Sequence, residues 1–153
     1  MTYDLQKQAK LRCMHLLEKR DYTEKQLRDK LRMGKTEYPL EVIEEAIAYV
    51  KSYRYVDDSR YAAQYIEGKK ARRSRRQIEQ ELLQKGIDRE IVRQAFEETE
   101  QIPEEELIQY WVEKRHYDAQ TADLSETRRM YAFLARKGFR SSAIMNALRR
   151  EDY

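Results

Sequence analysis

Few residues in this sequence interrupt regular structure. The 153 residues include four glycines and two prolines, and no segment alternates apolar and polar residues as strands do. Long apolar runs and a charged-then-apolar leader are also absent, so the sequence predicts no membrane span and no signal peptide, and we expect a cytoplasmic protein. A single cysteine, Cys13, excludes an internal disulfide, and its apolar neighbours in 14–17 predict a packed thiol.

Charged residues are abundant, at 39%, and the mean hydropathy is −1.01, so much of the chain is expected to face water. Such a composition favours a stacked array over a sphere with one large core. The formal net charge of +3 is small and says little about partners. What matters more is where the charges lie along the chain.

A repeat is visible in the sequence. Residues 76–87 and 128–139, 52 positions apart, both place apolar residues at helical spacing, then a Lys-Gly pair, then another apolar residue. A looser copy occupies 20–47. The pattern predicts an all-α fold, a tandem array of three three-helix repeats that form an elongated, curved, right-handed or similar solenoid-like molecule. The expected repeats are 1–54, 55–101 and 102–153.

Capping residues predict where individual helices begin and end. Thr23 with Gln26, and Ser74 with Gln77, have the spacing of a capping box. Prolines are expected at the first position of two helices, an aspartate or serine at the start of three more, and glycines at helix ends. The residues are Pro39 and Pro103, then Asp57 or Asp58, Asp88 and Ser125, then Gly34, Gly86 and Gly138. The last helix is expected near 141–150, and an insertion around 116–123 to break the register of the third repeat.

Patterns that would indicate catalysis or metal binding are incomplete. Met33–Thr36 resembles the end of a phosphate-binding loop, but the position of its earlier glycine holds Asp29. His15 and His116 have no second ligand three or four residues away, and the adjacent aspartates at 57 and 58 fit a helix cap. The sequence therefore predicts no enzyme, no metal and no cofactor.

Tyrosine is frequent, with twelve residues, and five of them lie between 49 and 65. We expect these rings to pack between helices with their hydroxyls at the surface. A stacking platform for unpaired bases is the alternative.

Basic residues concentrate at 69–76, with no acid among them. If Ser74 is a cap, Arg75 and Arg76 occupy a first helical turn, where the macrodipole makes each cation unfavourable by about 0.3–1 kcal/mol. Arg128 and Arg129 stand at the matching positions of the third repeat. Arginines beside free helix amides suit phosphate or carboxylate, whereas a solvated charged face is the alternative. The candidate binding residues are Lys69, Lys70, Arg72, Arg73, Arg75, Arg76, Arg128, Arg129, Arg136, Lys137 and Arg140.

Several segments, taken in order, resemble the bacterial RecX family of regulators of the RecA recombinase. They are Arg20–Thr23 with Leu27, Tyr55–Asp58 with Tyr61 and Ala62, Glu81 and Leu82 with Lys85–Ile87, and Leu134 with Arg136–Phe139. The resemblance covers nearly the whole chain. Two departures are Gln26, where the family commonly has glutamate, and the insertion near His116.

The resemblance implies a noncatalytic regulator. Such a protein would lie in the groove of the RecA filament on single-stranded DNA and modulate, mostly inhibit, RecA ATPase, strand exchange and recombination in DNA repair and the SOS response. It would act as a monomer, contact DNA directly and bind no membrane. The alternative is a general helical nucleic-acid-binding protein without RecA specificity.

Overall fold

Nine α-helices make up the regular structure of residues 2–149, the part of the chain that the computed structural model describes, and no strand occurs there. The predicted all-α fold is confirmed. In chain order the helices are α1 (Thr2–Lys19), α2 (Glu24–Met33), α3 (Leu40–Ser52), α4 (Asp58–Lys69), α5 (Arg75–Gln84), α6 (Arg89–Glu98), α7 (Glu104–Lys114), α8 (Leu124–Arg136) and α9 (Ser141–Leu148). The end of the last predicted helix at 150 lies outside the described residues.

Helix α2 begins with the predicted capping box. The Gln26 amide donates to Thr23 Oγ1 at 3.2 Å, and the Thr23 amide donates to Gln26 Oε1 at 3.0 Å. At α5 the box is only half formed, because the Gln77 amide donates to Ser74 Oγ at 3.1 Å while Gln77 Oε1 is buried without a hydrogen-bond partner. The prediction of a second complete box is therefore wrong.

The start of α8 differs from the sequence prediction. Asp123, not Ser125, is the cap, since Asp123 Oδ1 accepts from the Glu126 amide at 2.8 Å. A carboxylate two residues upstream of the serine thus adds residues to the front of the helix. The prolines also sit one position earlier than predicted, because Pro39 and Pro103 have the extended ψ of a cap rather than helical angles.

The three predicted glycines all end helices. Gly34 is the C-terminal cap of α2 and has an extended backbone, with a φ of −76°. The other two have a positive φ. Gly86 follows α5 with a φ of 90°, and Gly138 follows α8 with a φ of 91°. In both places the amide after the glycine bonds back to a carbonyl five residues earlier, which is the Schellman arrangement. These bonds join Ile87 N to Leu82 O at 3.2 Å and Phe139 N to Leu134 O at 3.3 Å.

The same arrangement ends α3 and α7 without glycine, which the sequence analysis missed. Arg54 and His116 have φ values of 59° and 56°. A side chain in this left-handed region costs roughly 1–2 kcal/mol relative to the right-handed one. The bonds that close the turns join Tyr55 N to Val50 O at 2.9 Å and Tyr117 N to Val112 O at 3.0 Å.

Close packing divides the described chain into two compact units. The first contains the residues up to Tyr65 and Leu82–Glu97, and its core forms where α1 packs on α3. The second contains Ile66–Glu81 and the residues from Glu98 onward, and in it α7, α8 and α9 pack together. Each fully buried Leu, Ile or Val contributes about 1.5–3 kcal/mol. Buried residues of the first core include Leu27, Leu31, Ile43 and Val50, and those of the second include Ile108, Leu134 and Ile144.

A buried hydroxyl links the start of one helix to the end of another in each unit. In the first unit, Thr23 Oγ1 donates to the Lys85 carbonyl at 2.6 Å, and Thr23 is fully buried. In the second, Ser74 Oγ donates to the Lys137 carbonyl at 2.7 Å. We call this contact the cap-to-carbonyl bond. It joins the cap of the second helix in one predicted repeat to the Lys-Gly end of the second helix in the next.

The predicted bounds of the repeats, 1–54, 55–101 and 102–153, stay a prediction, as does the curved shape. Positions 150–153 lie outside the described residues.

Cys13 is the packed thiol that its neighbours predict. It is fully buried, and burial raises the pKa of the thiol to about 11, an effect that Arg12 partly opposes. The thiolate is thus disfavoured more strongly in the folded chain than in the unfolded one. The pKa of the thiol is higher in the folded chain than in the unfolded one. The contribution of the protonated thiol to the free energy of unfolding is therefore complete below pH 9 and is lost as the pH rises toward about 11.

Cys13 should therefore react with a thiol reagent such as Ellman's reagent at pH 8 only as fast as the first unit opens. The chain has one cysteine, so total absorbance reports on this residue alone. In denaturant the reaction should be immediate. Reaction of the native chain at the rate of free cysteine would contradict the burial of this side chain.

Gly138→Ala should lower the free energy of unfolding by about 1–2 kcal/mol or more, because alanine is strained at positive φ. Its Cβ would also lie 2.5 Å from Ser74 Oγ. Gly68→Ala is the matched control, since nothing lies within 4 Å of a Cβ there. Within a helix it should raise stability by about 0.5–1 kcal/mol. Chemical denaturation measures both, and equal effects would refute the role assigned to Gly138.

Candidate anion-binding site

The first turn of α5 is held in place by its cap. Ser74 is 3% exposed, and its hydroxyl both accepts from the Gln77 amide and donates to the Lys137 carbonyl. Arg75 and Arg76 are the first two residues of the helix, both exposed, and the turn contains no acid. The position predicted for these arginines is thus confirmed, against the preference of the helix dipole.

An open cleft of about 450 Å³ lies beside this turn. Its walls include Arg75, Arg76 and Arg140, but also Glu79 and Glu104. Glu104 binds Arg140 twice, accepting from its Nε at 2.8 Å and from its backbone amide at 2.7 Å. The cleft therefore has mixed charge, and Arg140 is already paired.

Two more of the predicted cations are paired within the second unit. Lys70 Nζ lies 3.1 Å from Glu67 Oε1 and donates to the Glu100 carbonyl at 3.0 Å. The Arg73 guanidinium lies 2.6 Å from Glu81 Oε2. The stretch 69–76 is therefore not the uninterrupted cationic face that its sequence suggests. Lys69, the last residue of α4, is half-buried.

Four predicted arginines are exposed and form no ion pair with an acidic side chain among residues 2–149. They are Arg76, Arg128, Arg129 and Arg136. Because Asp123 caps α8, Arg128 and Arg129 lie beyond its first turn, so they do not match Arg75 and Arg76 in position. The predicted equivalence of the two arginine pairs is wrong, although both pairs are exposed.

Aromatic rings and cations gather on one side of the second unit. The centroid of Trp111 is 5.4 Å from that of Phe133 and 5.2 Å from that of Tyr110. Trp111 Nε1 donates to the Arg72 carbonyl at 2.8 Å, which fixes the indole, and the Arg72 guanidinium lies over Tyr110 at 5.9 Å.

Three further cations lie on these rings. Lys137 Nζ is 4.3 Å from the centroid of Trp111, Lys114 Nζ is 5.6 Å from the same centroid, and Arg115 Cζ is 3.7 Å from that of Phe133. We call Trp111, Phe133, Lys114, Arg115 and Lys137 the cation–aromatic cluster. Such contacts contribute about 0.5–2 kcal/mol each, and more as the cation loses water.

The charge of Lys137 is disfavoured where it lies. Burial lowers the pKa of its amine, and the positive charges of Arg73, Arg115 and Lys114 lower it further. Burial is the larger cause, but the part of the lowering that comes from the three neighbouring cations reflects a local excess of positive charge, which would attract an anion.

Lys114 and Arg115 belong to the cation–aromatic cluster but are not among the binding residues predicted from the sequence. Lysine and arginine three and four positions after Trp111, and Lys137 four after Phe133, have the spacing of one helix face. That spacing could have suggested cation–aromatic pairs. The contact between Trp111 on α7 and Phe133 on α8 could not be read from it.

The tyrosines between 49 and 65 behave in two ways. Tyr61 and Tyr65 stack at 6.2 Å and are half-buried. Tyr53 and Tyr55 stack at 5.6 Å but are 58% and 47% exposed, so packing between helices is wrong for these two. The stacking of unpaired bases on them stays a prediction.

No group of three or more His, Cys, Asp or Glu side chains among the described residues could hold a metal ion. Over the same residues, no helix has the length and apolar character needed to cross a membrane.

Three family models match the chain. They describe the first, second and third three-helix domains of RecX, and they match residues 9–49, 57–95 and 103–148. A regulatory protein RecX from Caldanaerobacter subterraneus is 35% identical over 151 residues, which are 97% of this chain and 73% of the relative. The chain belongs to the RecX family. A second RecX, from Trichlorobacter lovleyi, is 32% identical and covers 88% of this chain and 89% of its own length.

Solved RecX structures share the fold. A crystal structure of regulatory protein RecX matches with a TM-score of 0.73 at 23% identity, covering 96% of this chain and 72% of that one. RecX from Lactobacillus salivarius matches with a TM-score of 0.71 at 18% identity, covering 95% and 96%. The tandem three-helix domains of RecX are therefore present here.

Ser74→Ala should lower the free energy of unfolding by about 1–3 kcal/mol, because it removes the cap and leaves the partly buried Lys137 carbonyl without its donor. Ser141→Ala, at an exposed serine that begins α9, is the control and should change stability by less than about 0.5 kcal/mol. Thermal unfolding of both variants measures the difference. If the two behave alike, the cap-to-carbonyl bond does not stabilise the second unit.

Proposed function

We propose that this protein is a noncatalytic regulator that binds the RecA–DNA filament and restrains the ATPase, strand exchange and recombination activities of RecA. The observation that supports this most strongly is the match of all three RecX domains, in order, along the chain. Relatives at 35% and 32% identity are regulatory proteins by name. The protein would act as a cytoplasmic monomer, without a cofactor.

Binding to the filament would use positive side chains that the chain leaves unpaired. Arg76 in the cleft and Arg128, Arg129 and Arg136 on α8 are exposed and form no ion pair among the described residues. A filament presents both DNA phosphates and acidic side chains, and arginine binds either with paired hydrogen bonds. We propose direct contact with DNA as well as with protein.

Restraint of RecA requires that the regulator bind one filament state more tightly than another. A ligand that binds two states equally shifts nothing, however tight the binding. The proposal is therefore that the protein prefers a filament state with low ATPase activity.

A plain nucleic-acid-binding protein is the second candidate. The unpaired arginines favour it as much as they favour a filament regulator, because their charge attracts any phosphate backbone. At a fixed salt concentration, a filament regulator and a plain nucleic-acid-binding protein differ in whether they prefer RecA-coated DNA to bare DNA.

Binding should be compared on bare single-stranded DNA and on the same DNA coated with RecA, over a salt titration. A filament regulator prefers the coated DNA at each salt concentration and lowers RecA ATPase and strand exchange at substoichiometric amounts. Equal affinity for both, with a steep loss as salt rises, would identify the nucleic-acid-binding protein instead.

Arg76→Glu should weaken binding to the RecA filament about fivefold or more, because attraction becomes repulsion. Stability should be unchanged or higher by about 0.3–1 kcal/mol, since an acid suits a first helical turn. Arg89→Glu is the matched control: it makes the same charge change at the exposed first residue of α6. Filament binding by both variants is measured by anisotropy. Equal weakening would show that net charge, and not this position, matters.

A further inference from the structure

Three cations share one pair of aromatic rings in the second unit. Lys137 Nζ lies 4.3 Å from the centroid of Trp111 and 5.2 Å from that of Phe133. Lys114 approaches Trp111 from its own helix, and Arg115 covers Phe133 at 3.7 Å. The three charges are therefore held in one small area rather than spread along a helix.

No carboxylate neutralises these charges among the described residues. Lys114, Arg115 and Lys137 take part in no ion pair there, and Lys114 Nζ donates only to Tyr110 Oη, at 3.2 Å. The neighbouring Arg73 is paired with Glu81. Ring contacts offset part of the mutual repulsion, but a bound anion would remove more of it.

We propose that Lys114, Arg115 and Lys137 form a binding site for phosphate groups. Lysine is a compact point charge and arginine a planar fork, and both bind phosphate oxygens well. A phosphate group offers several acceptor oxygens and at least one negative charge, and a chain of phosphates would contact all three cations.

The rings themselves are not free to bind bases. The cations lie over Trp111 and Phe133, and the indole nitrogen is used by the Arg72 carbonyl. Base stacking needs an open ring face. Recognition at this site therefore depends on phosphate and not on base identity. A carboxylate, with one charge and two oxygens, would satisfy fewer of the donors.

This inference does not rest on the proposed function. The site would bind phosphate whether or not RecA is the partner, and the test contains no RecA. Failure of the phosphate site thus leaves the filament proposal standing, and the reverse also holds.

Trp111 provides the readout, because it is the only tryptophan in the chain. Its emission should change when a ligand binds the two lysines that lie against the indole. The probes are inorganic tripolyphosphate, an oligothymidylate of about twelve nucleotides, and a hexaglutamate peptide. Each is titrated into the full chain at constant ionic strength.

The test variant carries Gln at 114, 115 and 137. Its matched control carries Gln at Lys30, Arg32 and Lys35, which are also two lysines and an arginine, exposed and without an ion pair among the described residues. Both variants lose the same charge. We expect the test variant to bind tripolyphosphate about tenfold more weakly or worse, and the control to bind within about twofold of the parent. If the triple variant does not fold, Lys114→Gln alone replaces it as the test variant, because this side chain is exposed.

The source of the phosphate follows from the same titrations. If oligothymidylate displaces tripolyphosphate and loses affinity in the test variant, the source is a nucleic-acid backbone. If tripolyphosphate binds and oligothymidylate does not compete, the source is a free phosphate chain. Both results support the site. Tighter binding of hexaglutamate than of tripolyphosphate, equal losses in the two triple variants, or no binding of either phosphate probe would overturn it.

Discussion

The fold depends on a hydroxyl that makes two hydrogen bonds at once. Thr23 and Ser74 each accept from the amide that a helix cap must satisfy, and each donates to the carbonyl that precedes a left-handed glycine. The two partners are 62 and 63 residues apart in the chain. A side chain on either glycine would be obstructed, by Lys25 at Gly86 and by Ser74 at Gly138. The capping residue and the Lys-Gly end, which look like separate local signals, are therefore two halves of one long-range contact, and a change at either half affects both helices.

Much of this could be predicted from the sequence, because helix periods and caps depend on residues within one turn of each other. The capping box at Thr23 and the glycine ends of α5 and α8 are of this kind. Errors arose where two local signals compete. Asp123 caps α8 two residues before Ser125, and its stronger acceptor adds residues to the helix. No sequence pattern indicates the left-handed conformation of Arg54 and His116, since only tertiary packing makes such a conformation acceptable for a residue with a side chain.

The candidate site was less predictable, because charge along a sequence does not show which charges meet in space. Arg140 pairs with Glu104, which is 36 residues away in the chain, and Lys70 donates to the Glu100 carbonyl, which is 30 residues away. Those pairs remove cations from a surface that looked uniformly basic. Conversely, Lys114 and Arg115 follow an acidic stretch and looked unremarkable, yet packing of α7 against α8 places them beside Lys137. Which cations pair with acceptors, and which cations lie close together, both depend on the fold.

The cations that form no ion pair among the described residues differ in how exposed they are, and this difference affects binding. Arg76 and the unpaired arginines of α8 are exposed, so their attraction is screened beyond about 10 Å at 0.1 M salt. Charges of this kind mainly raise the rate at which a partner arrives. Lys137 is partly buried against Trp111, where screening is weaker, so contacts made there mainly slow dissociation. A partner that engages both groups would associate through the arginines and be retained by the cluster. Salt would therefore reduce the association rate more than it increases the dissociation rate.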